Sequence, residues 1–129
     1  RLYRDSFKPS VSHEKPFAIL ATHVVCADTD AEAERLASTV DLNFVRRGKG
    51  EFQPLCSPDE AAAYDYTPID RARIARNRER IAVGSSATVR AKLMPLIERT
   101  KADELMITSM LFDHAARKRS FELLAEAFA

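Results

Sequence analysis

The sequence predicts a helix-rich α/β fold. Two short apolar segments, residues 17–27 and 102–109, have the length of buried strands, and an amphipathic helical pattern follows each of them. Strand, helix and strand in this order form a βαβ arrangement, whose crossover is right-handed by default. Because two parallel strands cannot bury both faces of a sheet, either further strands come from another chain or this chain is one part of a larger barrel.

The first predicted strand is apolar on both faces, which indicates that both are covered. Side chains alternate between the two faces of a strand. One face therefore carries Phe17, Ile19, Ala21, His23 and Val25, and the other carries Ala18, Leu20, Thr22, Val24 and Cys26. The second predicted strand is centred on the apolar run from Leu105 to Ile107.

The most clearly predicted helix follows the first strand. Thr29 with Glu32 three residues later forms a capping-box pattern, and Gly48 is the expected stop. Residues 47–81 form a helical excursion, with one helix start at Ser57 and another at Pro68. The five arginines between positions 71 and 80 do not fall on one stripe, which favours a solvated surface; a nucleic-acid contact is the weaker alternative.

Two further segments each leave two interpretations open. Gly84 predicts a turn, and Ser85 after it is interpreted as the cap of the penultimate helix rather than as part of an anion site. Residues 1–16 are interpreted as a linker that Tyr3 and Phe7 anchor to the core, although a short helix before Pro9 would also bring these two rings together. Asp113 is the expected cap of the last helix.

Composition excludes several classes of protein. The chain has 129 residues, which corresponds to one domain, and its net charge of +1 favours neither nucleic acid nor an anionic membrane surface. It has no apolar run near the roughly 20 residues that span a bilayer. Cys26 and Cys56 are expected to be free thiols in a reducing cytoplasm, with a disulfide as the less favoured alternative. The start at Arg1 rather than methionine suggests a partial chain.

Five pieces of the sequence, taken in order, resemble the C-terminal part of the bacterial-luciferase-like flavin-dependent monooxygenases. They are YRDSFKPS, CADTDAEAERLA, AVGSSATV, ADELMITS and DHAARKRSFELLAEAF. The resemblance covers nearly the whole chain except about residues 47–80, where such proteins vary. One departure is the turn at Gly84, where the family usually has Gly-Thr-Pro followed by acidic residues and this chain has Ser85, Ser86 and Ala87.

The resemblance implies a (β/α)8 TIM barrel, of which residues 1–129 would be a single partial domain holding the last two parallel strands and their covering helices. Family members use reduced FMN, bound or supplied by a flavin reductase, to oxygenate a small organic substrate with O2, and some relatives use the deazaflavin F420 instead. The first strands, which carry most flavin contacts in the family, have no counterpart here. We therefore expect this chain alone to be inactive, to bind no flavin and to form a homo-oligomer.

Four residues are candidates to line a pocket, because function in a barrel lies at the carboxyl ends of its strands. They are His23, Val25, Ser109 and Met110. Three of them also have a structural interpretation: His23 as a neutral, hydrogen-bonded core residue, Ser109 as a cap or a serine bonded to backbone, and Met110 as core filling. No catalytic or cofactor-binding residue can be assigned, and the histidines and cysteines lack metal-ligand spacing.

Two classes of function follow from these observations. The first is an enzyme: a flavin-dependent monooxygenase of which this chain is the C-terminal part. The second is a non-catalytic α/β module or remnant that oligomerises. The two differ in whether further strands belong to the same polypeptide, because a flavin needs the missing part of the barrel.

Overall fold

The computed structural model describes residues 2–129, so Arg1 lies outside the description. Helices and strands alternate along most of the chain. In order, the elements are α1 (Leu2–Ser6), β1 (Ile19–Cys26), α2 (Asp30–Gly48), α3 (Pro58–Ala63), α4 (Pro68–Arg78), β2 (Ile81–Gly84), α5 (Ser86–Thr100), β3 (Glu104–Thr108) and α6 (His114–Phe128). The helix-rich α/β class predicted from the sequence is therefore confirmed.

The described strands form one parallel sheet in the order β2-β1-β3, with the first strand of the chain in the middle. β1 pairs with β3 along residues 19–23 and with β2 along residues 23–26. His23 is the one residue of β1 in register with both neighbours, Ile81 and Thr108. The amino-terminal half of β1 thus has a described partner on one side only.

The prediction of two strands was wrong, because β2 was interpreted as the end of a helix and a turn. β2 has only four residues, which is too short to show a period of two in the sequence. The two strands that were predicted, β1 and β3, are parallel neighbours, and β2 pairs with the other side of β1 along residues 23–26 only.

Helices cover the sheet on both sides, but not over its whole area. α2 packs on one side of the carboxyl halves of β1 and β2, in a cluster formed by Val25, Ala27, Ala33, Leu36, Ala37, Val40, Ile81 and Leu111. α5 and α6 cover the opposite side, in a cluster formed by Val24, Cys26, Ala82, Val89, Leu93, Leu123 and Leu124. Val24 and Val25 thus point to opposite sides, as predicted from alternation.

Polar side chains fix the helix starts where the sequence predicted them. Thr29, Ser57, Ser85 and Asp113 each accept a hydrogen bond from the backbone amide three residues further on. The preference for a linker over residues 1–16 was wrong in its first part, because Leu2–Ser6 is helical. The short helix brings the rings of Tyr3 and Phe7 edge to face, 5.9 Å apart.

The excursion packs on α2 as two helices joined to it by ion pairs. Arg78 of α4 donates to Asp41 of α2 at 2.8 Å, and Lys49 lies 3.0 Å from the buried carboxylate of Asp70. Leu42, Cys56 and Ala61 form a third small apolar cluster beneath it. Both cysteines are buried free thiols, as expected. Within residues 2–129 we find no helix with the length and apolarity to cross a membrane.

Candidate functional site on the uncovered sheet face

One face of the sheet is uncovered where β1 and β3 pair. Leu105 and Ile107 of β3 pack toward α5 and α6, so the alternate residues of this strand point to the opposite side. The side chains of this face, which we call the open face, are Ile19, Ala21, His23, Glu104, Met106 and Thr108. Ile19 and Met106 are 49% and 48% exposed, which is unusual for large apolar side chains of a parallel sheet.

The register divides the open face into three layers. Ile19 lies opposite Glu104 at the amino end, and Ala21 lies opposite Met106 in the middle. At the carboxyl end His23 lies opposite Thr108. The small side chain of Ala21 leaves the methionine exposed beside it. The face is therefore apolar in its middle and carries a polar pair at the end where parallel α/β folds place their ligands.

The polar pair is joined by a hydrogen bond. His23 Nδ1 lies 3.3 Å from Thr108 Oγ1, and the same hydroxyl oxygen lies 3.5 Å from the carbonyl oxygen of Thr22. Burial lowers the pKa of His23 below its ordinary value, so the imidazole is neutral at pH 7. Its Nε2 is shielded from solvent and has no hydrogen-bond partner within residues 2–129.

The other three residues predicted to line a pocket occupy different environments. Val25 is fully buried beneath α2 and reaches no surface of the described chain. Ser109 is 8% exposed, and its buried hydroxyl has no partner within the described residues. Met110 is 44% exposed just after β3. The structure thus brings His23 to the open face but leaves Val25 in the core.

Sequence reasoning missed Thr108 and Met106 as open-face residues. In the structure, exposed and half-buried positions alternate through all five residues of β3. The apolar run from Leu105 to Ile107 drew attention to burial, although its middle residue points the other way. Alternation applied to β3 as it was to β1 would have assigned Glu104, Met106 and Thr108 to one face.

The predicted turn at Gly84 holds an internal anion. Asp30 Oδ1 accepts a 2.6 Å hydrogen bond from the backbone amide of Ser85, at the amino end of α5. That bond, together with hydrogen bonds from the side chains of Thr88 and Ser85, lowers the pKa of Asp30 below its ordinary value. The helix start that could have received an external anion is thus filled by a side chain of the same chain.

The open face suits a largely apolar, planar group better than an anion. Its middle is apolar, with the polar pair at its carboxyl end. None of its six side chains is a lysine or arginine, so the face offers no cationic side chain to pair with a phosphate group. Within residues 2–129 there is no group of three or more histidine, cysteine, aspartate or glutamate side chains arranged for a metal ion.

The chain is similar in sequence to several longer proteins. It is 42% identical to the uncharacterized protein YceB of Bacillus subtilis, over 99% of this chain and 39% of that protein. It is 35% identical to a luciferase-like monooxygenase of Escherichia coli K12, over 95% of this chain and 36% of the relative. No protein-family model matches the chain.

A solved structure has the same arrangement. The crystal structure of apo-MsnO8 matches with a TM-score of 0.84 and 36% identity, over 98% of this chain and 39% of that one. These comparisons confirm the predicted resemblance: the homologues of this chain include a luciferase-like monooxygenase. The chain spans less than two fifths of the length of the relatives that it matches.

Proposed function

We propose that this chain is the C-terminal part of a luciferase-like flavin-dependent monooxygenase, and that its open face lines the interior of a (β/α)8 barrel. The observation that carries the proposal is the identity to a luciferase-like monooxygenase over 95% of the chain. In this proposal the strands that cover the open face belong to the part of the relatives that this chain does not span.

The distribution of exposed groups on the sheet supports this arrangement. The middle of the open face, around Ala21 and Met106, is apolar without being buried, and the face adjoins the amino-terminal half of β1, which lacks a described neighbour on one side. A solvent-exposed strand edge beside exposed apolar side chains promotes aggregation unless other strands or a partner cover it. Further strands of the same polypeptide would cover both and would enclose the face as a cavity wall.

Reduced FMN is the proposed cofactor, and F420 is the alternative. When bound, the reduced flavin would activate O2 for transfer of one oxygen atom to a small organic substrate. The residues of this chain would contribute an apolar wall through Met106 and Ala21, and polar contacts through His23 and Thr108. The flavin phosphate would be held away from the open face, which has no cationic side chain, and a separate flavin reductase is the proposed source of the reduced cofactor.

The test is O2 consumption by the full-length protein in the presence of chemically reduced flavin, so that no reductase is needed. Reduced FMN and reduced F420 are supplied in parallel, with a panel of small apolar organic compounds as substrates. With reduced FMN we expect substrate-dependent O2 consumption and an oxygenated product by mass spectrometry. Oxidation of reduced F420 by a compound of the panel, without O2 consumption, would instead support the alternative cofactor. Absence of all these reactions in a folded full-length protein would overturn the proposal.

A further inference from the structure

We infer that Thr108 is the residue of this chain that orients a ligand against the open face, by accepting a hydrogen bond from an N–H or O–H group of that ligand. The inference rests on the proposed function in one respect, namely that the open face is a cavity wall. Three observations support the inference: the exposure of Thr108, the hydrogen-bond partners of its hydroxyl group, and the apolar surface around this residue.

Thr108 presents a reachable polar group near the carboxyl end of the face. Its side chain is exposed, whereas the Nε2 atom of its partner His23 is shielded from solvent. Glu104, the other polar side chain of β3 on this face, lies at the amino end of the strand. Ligands of parallel α/β folds bind at the carboxyl ends of the strands. The threonine hydroxyl is therefore the polar group that a ligand at this end would meet.

The hydroxyl proton of Thr108 is retained within the sheet. In one tautomer of His23, Nδ1–H donates to Thr108 Oγ1, and the hydroxyl proton is directed at the carbonyl oxygen of Thr22, 3.5 Å away. In the other tautomer, Nδ1 is bare and accepts the hydroxyl proton itself. In both arrangements Oγ1 keeps a lone pair for the open face. Toward a ligand Thr108 is an acceptor, and His23 is its positioning residue.

The surroundings define the class of ligand. Within the middle layer of the open face, next to this acceptor, Ala21 and Met106 offer apolar surface. A methionine adapts its shape and makes favourable sulfur contacts with aromatic rings. A planar, mostly apolar molecule with a single hydrogen-bond donor at one edge fits these features. Sites with few polar groups on an apolar wall use those groups to fix orientation.

The experiment compares two probes that differ at one position, where only one of them has an O–H donor. 4-Fluorophenol carries an O–H group, and 4-fluoroanisole has a methyl group in place of that hydrogen. Their affinities for the full-length protein are measured by ligand-observed fluorine NMR, which needs no turnover. We expect the phenol to bind roughly twofold to tenfold more tightly, the ratio that one net hydrogen bond supplies.

Substitutions then assign the preference to Thr108. Thr108→Val keeps the shape and removes the acceptor, so the ratio is expected to fall to about one. Thr108→Ser retains the hydroxyl and is expected to retain the preference. Thr100→Val, whose hydroxyl bonds to the carbonyl of Leu96 within α5, is the matched control and should leave the ratio unchanged.

An unchanged ratio in Thr108→Val would overturn the inference, as would equal or undetectable binding of the two probes to the unsubstituted protein. This result is distinguishable from failure of the proposed function. A protein that consumes O2 with reduced flavin but shows no change in Thr108→Val refutes the role of Thr108 alone. A protein that shows the predicted ratios but no flavin-dependent O2 consumption refutes the monooxygenase proposal alone.

Discussion

Replacing Gly84 with alanine tests how closely α5 and α2 are joined at the carboxyl end of the sheet. Gly84 has a φ of +148°, which side chains other than hydrogen rarely allow. A Cβ there would lie 2.6 Å from Thr88 Cγ2 and 2.9 Å from Asp30 Oδ1. The substitution therefore combines backbone strain with a collision on both sides of the turn.

The magnitude follows from these two contributions. Strain at a sparsely populated φ costs about 1–3 kcal/mol. Overpacking by one carbon atom adds about 1–3 kcal/mol. Gly84→Ala should therefore lower the free energy of unfolding by about 2–6 kcal/mol, a large part of the roughly 5–15 kcal/mol of a typical domain.

The chain offers a matched control for this change. Gly50 also has a positive φ, +79°, but a Cβ there would meet nothing within 4 Å. Gly50→Ala should cost about 1–2 kcal/mol, because it introduces only the strain of a left-handed conformation. Combining Gly84→Ala with Thr88→Ser, which removes the nearest atom, should recover part of the difference.

The assay is urea unfolding followed by circular dichroism, with equal protein concentration for all variants. If Gly84→Ala cost no more than Gly50→Ala, the steric argument would be refuted. If Thr88→Ser failed to recover any stability in the Gly84→Ala background, the collision would be with the atoms that remain, Thr88 Cβ at 2.7 Å and Asp30 Oδ1 at 2.9 Å, rather than with Thr88 Cγ2.

Three further predictions concern other parts of the chain. Ser120→Ala should lower the free energy of unfolding, measured in urea, by about 1–3 kcal/mol. The buried hydroxyl of Ser120 accepts a 3.0 Å hydrogen bond from the Cys26 amide, which the substitution would leave unpaired. Unchanged stability would contradict this reasoning. The amide of Ala18, and secondly Arg4, lower the pKa of Asp103, so its contribution to stability is present above its ordinary value of 3.8 and is lost as pH falls below it. Asp103→Asn should thus flatten the fall of the melting temperature below pH 4, and an unaltered acid profile would contradict this linkage. The 129-residue chain alone should sediment as a dimer or larger species, because its open face is apolar; a well-folded monomer would contradict this.

The parts of the fold that the sequence predicted are those with strong local signals. The caps of α2, α3, α5 and α6 were predictable because each depends only on residues within one helical turn. In each, a side-chain oxygen accepts a hydrogen bond from the backbone amide three residues further on. β2 was not, since Ile81–Gly84 becomes a strand only by pairing with β1. The full capping box of α4, in which Thr67 and Asp70 bond each other's backbone, was missed because Pro68 alone marked that start.

The candidate site was partly predictable for the same reason. Alternation along β1 assigned His23 to one face, and the structure places it on the open face beside Thr108. The burial of Val25 depends on α2 crossing that same face two residues further along, which no local pattern reveals. Asp30 is a similar case: its carboxylate looks like a charge at the start of α2, yet it bonds the amide of Ser85.

The central position of β1 has a consequence for synthesis of the protein. Its Ile19 to His23 segment pairs with residues 104–108, and partners such as His23 and Thr108 are 85 positions apart. At about 5–20 residues per second, the ribosome needs roughly 4–17 seconds to add that many residues. During this interval residues 19–23 have no β3 strand to pair with. A chaperone that shields apolar extended segments should therefore improve the yield of folded protein.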